Sequence, residues 1–299
     1  MDIALTGSTG LIGTRLAERL TSAGHRVLRF VRGEAGSATE TDSARWDPEK
    51  GKIDAAALEG IDAVVHLAGA PIGDRRWTSA RKALLHDSRT KGTTLIAQSI
   101  AAAKRPPTTF LSGSAVGFYG DTGDTPTDES GRPGSDYLAR LCIDWEAATT
   151  AASDAGVRTV LLRSGVVLAG EGGALARQLP FFKLGLGGRS GSGRQYQSWI
   201  SLDDETAAIE WLLTSDHRGP VNLTAPEPVT NAVFASTLGL VLHRPTTVIP
   251  MAGPRLLFGR ELADTLLLTS QRVVPHALLT GDFRFRHASL DDALHEILR

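Results

Sequence analysis

One cysteine, Cys142, occurs in 299 residues, so no disulfide can form within the chain and a small fold held by disulfides is excluded. No uninterrupted apolar run reaches the ~18 residues of a membrane-spanning helix, so no span is expected. Neither charge sign dominates. The 32 Lys+Arg and 33 Asp+Glu leave a formal net charge of -1, too little to hold a polyanion through a global field, so nucleic acid is not an expected partner. The 8 histidines show no HExxH or comparable spacing, and no metal site is expected. The N-terminus lacks the basic segment and small-residue cleavage site of a secretory signal, which makes the cytoplasm the expected location.

What the chain does have is glycine, 32 residues of it, together with 41% hydrophobic residues, enough for a full core. Apolar residues Ile3 to Leu5 precede a glycine turn, and Leu11, Ile12, Leu16 and Leu20 then form a helical stripe ending at Gly24. VLRFV from Val27 restores the strand rhythm, completing a βαβ unit. Further strands are expected at DAVVHLAG (62–69), TTFLSGS (108–114), VRTVLLRSG (157–165) and PVNLT, with helices between them. The pattern predicts an α/β fold, a Rossmann-type parallel sheet with helices on both faces, plus a smaller C-terminal substrate or cap region. Residues 1–165 are assigned to the dinucleotide-binding domain, completed by strands from 195–225. Residues 166–249 supply substrate-side segments, and 250–299 form a small C-terminal helical domain. GLGGRSGSGRQ reads as a mobile or ligand-contacting loop without regular structure, and Ser201 as the cap of the helix that follows.

TGSTGLIG places Gly7, Gly10 and Gly13 three apart, after a strand and opening a helix. In that context Gly7 makes the tight turn, Gly10 lets the backbone reach a pyrophosphate and Gly13 lets helix and sheet pack closely. Thr9, Leu11 and Ile12 complete the candidate phosphate site, whose unpaired amides face the ligand. At the end of the second strand, RFVRG places Arg29 and Arg32 where an acidic residue would select a free ribose 2′-hydroxyl, and Glu34 follows only after a glycine. Arg32 therefore points to NADP(H) as the cofactor.

TGSTGLIG, HLAG at 66–69 and SGSAVGFYG at 112–120 resemble the extended short-chain dehydrogenase/reductase superfamily. More narrowly, AGAPIGDRRWTSARKALLHDSR, LPFFKLGLGGRSGSGRQYQSWISLDD and RELADTLLLTSQRVVPHALLTGDFRFRH resemble the NAD-dependent epimerase/dehydratase-like branch with a C-terminal domain of unknown function, the predicted sugar-nucleotide epimerases. The resemblance implies that Leu67, Ala68 and Gly69 touch the cofactor and that Ser114 is the catalytic serine. It also implies a tyrosine and a lysine four apart on one helical face, and these are missing. Setting Glu146 against the acidic residue that commonly follows the pair puts Leu138 and Cys142 in their places, and starting from Tyr137 reaches only Leu141. Arg89, in RTKGT, stands where relatives often have asparagine.

An unassisted phenol starts from a pKa near 10, so a standard 4-epimerase is not expected. Two schemes stand open: Ser114 with Tyr119 and Arg89, or hydride transfer in which Arg89 stabilises developing charge while water or substrate supplies the proton. Cys142, with no histidine adjacent, reads as a buried apolar residue, and His66 as a core or rim histidine. Asp203 and Asp204 read as helix-terminal charges. Arg75, Arg76, Trp77, Arg189, Arg194, Gln195 and Trp199 are candidate contacts for a flat or anionic small-molecule substrate. A homodimer is left open. The sequence supports an NADP(H)-dependent oxidoreductase or epimerase-like enzyme with a nonstandard proton relay, the alternative being a non-catalytic NADP(H)-binding sensor or scaffold; the retained Ser114 and the aromatic, arginine-containing second half favour the enzyme.

Overall fold

The computed structural model describes residues 1–32 and 42–299, so Glu34 lies outside the described residues. β1 (Asp2–Thr6) runs into the glycine turn, α1 (Leu11–Ser22) returns along the sheet, and β2 (Arg26–Val31) pairs in parallel with β1. β3 (Ser43–Asp47) extends that edge in parallel and β4 (Lys52–Ile53) ends it antiparallel. On the other side of β1 lies β5 (Ala63–His66), which connects through α2 (Ser79–Ala102) to β6 (Thr109–Ala115). From there α3 (Tyr137–Ala147) and α4 (Thr150–Asp154) lead to β7 (Arg158–Ser164). β8 (Val166–Leu168), α5 (Gly173–Lys183), β9 (Gly188–Ser190), β10 (Tyr196–Gln197) and β11 (Trp199–Ser201) leave the main sheet. α6 (Leu202–Thr214) returns the chain to it as β12 (Gly219–Leu223), parallel to β7. β13 (Val229–Thr230), α7 (Asn231–Val241), β14 (Thr247–Ile249), α8 (Ala252–Phe258), α9 (Arg260–Leu268), α10 (His276–Thr280) and α11 (Leu290–Ile297) complete the described chain.

The sheet order is β12-β7-β6-β5-β1-β2-β3-β4, a Rossmann-type arrangement whose direction of propagation reverses between β1 and β5. One face buries Leu16, Leu20, Ile209 and Leu212 of α1 and α6 against Ile3, Leu111 and Val160. The other buries Ile96 and Ile100 of α2 against Val64 and Phe110. Both faces are covered, which is why the central strands read as nearly continuous apolar runs. Among the described residues, no helix is long and apolar enough to cross a membrane.

A further core unites α5, α7 and α11 through Phe182, Phe234, Leu238 and Leu294, with Trp199 of β11 at its centre. Ser201 caps α6 by accepting from the Asp204 amide at 3.1 Å. Asp204 does more than favour the helix start: its buried carboxylate accepts from the amides of Arg286 and His287 at 2.7 and 2.9 Å, tying the C-terminal segment to α6. The glycine-rich stretch after α5 is not wholly irregular, because Gly188–Ser190 forms β9 against the distant β14. A β-carbon on Gly188 would stand 1.8 Å from the Thr247 carbonyl oxygen, so this glycine serves close strand approach rather than mobility. Arg29 lies within β2, and only Arg32 stands beyond its end.

Glu205, in the first turn of α6, is fully buried. Ser164 donates to its Oε1 at 2.6 Å, while Oε2 has no hydrogen-bond partner. Burial pushes this carboxyl up from 4.5 to about 8. The folded protein therefore holds a proton that the unfolded chain loses, and the stability so gained is complete below the unfolded value and lost as pH rises through about 8. Glu205→Gln should melt with the wild type near pH 5 and above it near pH 9, a crossover that thermal denaturation at the two pH values reads directly. Gly13→Ala, whose new β-carbon would stand 2.1 Å from the Gly7 carbonyl oxygen, should cost about 2 kcal/mol or more and lower the melting temperature by roughly 3 °C or more.

Candidate cofactor and substrate site

At the switch point the turn after β1 meets the chain leaving β5. Gly7 adopts φ +72°, and a β-carbon there would lie 2.8 Å from the Leu67 carbonyl carbon. The cap position before α1 is Gly10, which has no side chain to cap the helix, and the first turn carries no acidic residue. The first-turn amides and the positive end of the helix dipole are thus left for an anion. The nearest neighbour of a β-carbon on Gly10 would be the Gly7 carbonyl oxygen at 3.3 Å; bare backbone faces the cleft here, the shape a pyrophosphate requires. The cleft, of about 860 Å³, is lined by Gly7, Thr9, Gly10, Arg32, Leu67, Ala68 and Gly69. Leu11 faces a separate hollow beside α6, while Ile12 packs on the core and Gly13 is buried.

Arg32 is exposed at the far end of this cleft, its guanidinium 5.7 Å from the Trp46 ring centroid. Trp46 in turn meets His66 edge-on at 5.7 Å. His66 is buried, shares a 2.7 Å hydrogen bond with Thr6, and is held neutral with a pKa of about 3 by burial and by the charge of Arg32. Trp46 is a cleft residue that sequence reasoning missed, since it reaches the cleft from β3, a strand without a clear apolar period.

Ser114, Arg163 and Asn222 are direct cross-strand partners on β6, β7 and β12. Ser114 Oγ donates to Glu146 Oε1 at 2.6 Å. Arg163 grips the same carboxylate with Nε and Nη2, at 2.8 and 2.9 Å, and lies 3.5 Å from the Phe118 ring centroid. Its Nη1 donates to the Tyr119 hydroxyl at 2.9 Å, and that hydroxyl donates to Asn222 Oδ1 at 2.7 Å. Burial opposes the Arg163 charge, and the paired Glu146 more than offsets it, so its pKa is raised. Burial raises the Tyr119 phenol despite Arg163. Tyr119 is 4% exposed, so the structure places its hydroxyl inside this network, linked to Ser114 through Glu146 and Arg163 rather than by direct contact.

Arg89 stands apart from that chain. It is 7% exposed, packed 4.9 Å from the Trp145 ring centroid, and donates through Nη1 to the carbonyls of Ala70 and Leu85. A β-carbon on Gly69 would approach its guanidinium carbon to 3.3 Å. Leu138 and Cys142 face Gly117, whose β-carbon would touch them at 3.4 and 3.6 Å. Burial pushes the Cys142 thiol up to about 12, which suits a packing residue and not a nucleophile. Tyr137 donates to the Lys82 carbonyl at 3.1 Å and stacks edge-on with Trp77.

The candidate substrate residues are dispersed. Arg75 and Arg76 are exposed, and Arg76 donates to the Leu256 carbonyl at 2.7 Å. Trp77 is buried against Leu85 and Leu262. Arg189 donates to the Gly191 carbonyl, and Gln195 to those of Ser190 and Leu267. Arg194 and Gln195 share a cavity of about 650 Å³ with Met251 and Leu268. Trp199 is 1% exposed and donates to the Glu227 carbonyl, in the core that unites α5, α7 and α11. Glu146→Gln would leave Arg163 buried beside an uncharged partner, costing about 3 kcal/mol; calorimetry should show a melting temperature lower by roughly 5 °C.

The model of the NAD dependent epimerase/dehydratase family matches residues 3–224, and that of a domain of unknown function, DUF1731, matches residues 249–297. Epimerase family protein MT2273 of Mycobacterium tuberculosis is 46% identical over 294 residues, 98% of this chain and 96% of that protein. The crystal structure of human epimerase family protein SDR39U1, solved with NADPH, superposes with a TM-score of 0.90 at 34% identity and covers 99% of both chains. A nucleoside-diphosphate sugar epimerase from Corynebacterium glutamicum gives 0.80 at 36% identity, over 99% of this chain and 58% of that one. With its first 224 residues matched almost throughout and relatives of this identity along its length, the chain belongs to the NAD dependent epimerase/dehydratase family.

Proposed function

We propose that the protein is a cytoplasmic NADPH-dependent oxidoreductase or epimerase-like enzyme that acts on a small carbonyl or sugar-type substrate without a Tyr-x-x-x-Lys pair. The observation that carries this reading is the placement of Arg32 in the same cleft as the uncapped start of α1, so that one cation faces the position of a 2′-phosphate while helix amides face the pyrophosphate. The human relative solved with NADPH supports it. Gly7, Thr9, Gly10, Leu67, Ala68 and Gly69 would hold the cofactor, which when bound supplies a hydride. Leu11 to Gly13 would contribute the helix amides.

On this reading Ser114 holds the reacting oxygen and Arg89, packed against Gly69, supplies positive charge to the site. Tyr119 acts at one remove, by fixing Arg163 and through it the carboxylate that orients Ser114. Of the dispersed candidates, Arg194 and Gln195, which share one cavity, would be the ones to meet a substrate, whereas Trp77 and Trp199 are buried in the core. A second reading, a non-catalytic NADPH sensor or scaffold, is favoured by one feature: the hydroxyls of Ser114 and Tyr119 are both engaged within the protein.

Following reduced-nicotinamide absorbance against a panel of aldehydes and ketones, and epimer interconversion of nucleotide sugars by chromatography because epimerisation leaves the nicotinamide unchanged overall, separates the two. The enzyme reading expects turnover that falls about 100-fold in Ser114→Ala with cofactor affinity unchanged. An inert wild type that still binds NADPH would shift the assignment to the sensor.

A further inference from the structure

Two arginines are buried among the described residues, and one of them, Arg163, is neutralised by Glu146. The other, Arg89, has no carboxylate among its ion-pair or hydrogen-bond partners in the described residues, although only 7% of it is exposed. Its Nη1 is spent on two carbonyls, while Nε and Nη2 make no hydrogen bond to the described protein. The second guanidinium in this region, that of Arg81, adds charge instead of cancelling it: Arg81 donates through Nη2 to the Pro71 carbonyl, and its buried Nε has no partner. The two arginines, two turns apart on α2, thus hold the consecutive carbonyls of Ala70 and Pro71 and retain unused donors. Between Arg89 and the cleft stands Gly69, which has no side chain to screen the charge and is itself exposed. Nearby acids are committed elsewhere: Asp87 pairs with Lys91, Asp74 with Arg177 and Glu261 with Lys82.

A buried cation without a counter-ion is costly, and a planar fork with free donors matches a planar or tetrahedral oxyanion. We propose that Arg89, assisted by Arg81, is an oxyanion site beside Gly69 and Ala70, and that the substrate carries a carboxylate or phosphate seated there. The proposal rests on the reading of a small carbonyl or sugar-type substrate and narrows it to an acidic one. The anion is distinct from the cofactor pyrophosphate, for which the first turn of α1 already supplies amides.

The test is calorimetric titration of the NADPH-loaded protein with oxamate, with inorganic phosphate, and with oxamide as the neutral counterpart of oxamate. Saturable binding of oxamate or phosphate is expected, the stronger of the two telling carboxylate from phosphate, with none for oxamide. Arg89→Met should weaken that binding at least tenfold and Arg81→Gln severalfold, Arg89→Lys should restore most of it, and the affinity for NADPH should stay within about twofold. Failure of both anions to bind the wild type, or undiminished binding to Arg89→Met and Arg81→Gln, overturns the proposal. So does an equal loss of NADPH affinity in Arg89→Met, which would assign the guanidinium to the cofactor. A wild type that takes up the anions but not NADPH would leave the oxyanion site standing and sink the cofactor reading instead.

Discussion

Where the first crossover of the sheet begins, Gly13 meets the carbonyl oxygen of Gly7 so closely that a β-carbon would stand 2.1 Å from it. Helix α1 can therefore start hard against the end of β1, and its first amides open into the crevice where the strand order reverses. Gly7 satisfies the same constraint from the other side, since its positive φ brings the turn against the backbone of Leu67 and Ala68. The cleft, its polarity and its two walls follow from that approach. Arg32 and Trp46 contribute at the outer end only because β2 and β3 extend the sheet away from β1.

Deeper along the strand ends, a different kind of order prevails. The carboxylate of Glu146 is shared between Ser114 and Arg163, and Arg163 is stacked on Phe118 and bonded to Tyr119. A buried pair of this kind tolerates little rearrangement, because removing either partner strands the other charge. The network extends to the C-terminal segment through Asn222, which donates to the Val274 carbonyl, so that segment helps set the position of the serine. The helix face that would carry a tyrosine and a lysine presents Leu138 and Cys142 to Gly117 instead. Positive charge near Gly69 comes from α2, through Arg89.

The sheet was legible because its strands are buried on both faces and bounded by glycine, and the phosphate turn because three glycines fall between a strand and a helix. The placement of Ser114 at a strand end could also be read, but its engagement with Glu146 could not: that contact joins residues 32 apart, and no local pattern encodes it. Gln195, Trp77 and Trp199 have the chemistry of ligand contacts in a list of residue types, yet in the structure their side-chain N–H groups donate to backbone carbonyls. The glycine stretch around Gly188 read as a loop because its pairing partner, β14, lies more than fifty residues away. Asp204 carried a helix-start signal that was correct and incomplete, since the amides it accepts from belong to the C-terminal segment.

On the proposed function, the turn shaped by Gly7, Gly10 and Gly13, with Arg32 at the far end of its cleft, would select a 2′-phosphorylated dinucleotide. Equilibrium titration of the wild type and Arg32→Ala with NADPH and NADH measures this directly. The wild type is expected to bind NADPH at least ~10-fold more tightly than NADH, the preference one charge-assisted contact of ~1.4 kcal/mol or more confers, and Arg32→Ala to lose most of that difference. Equal affinities of the wild type for the two cofactors would contradict it.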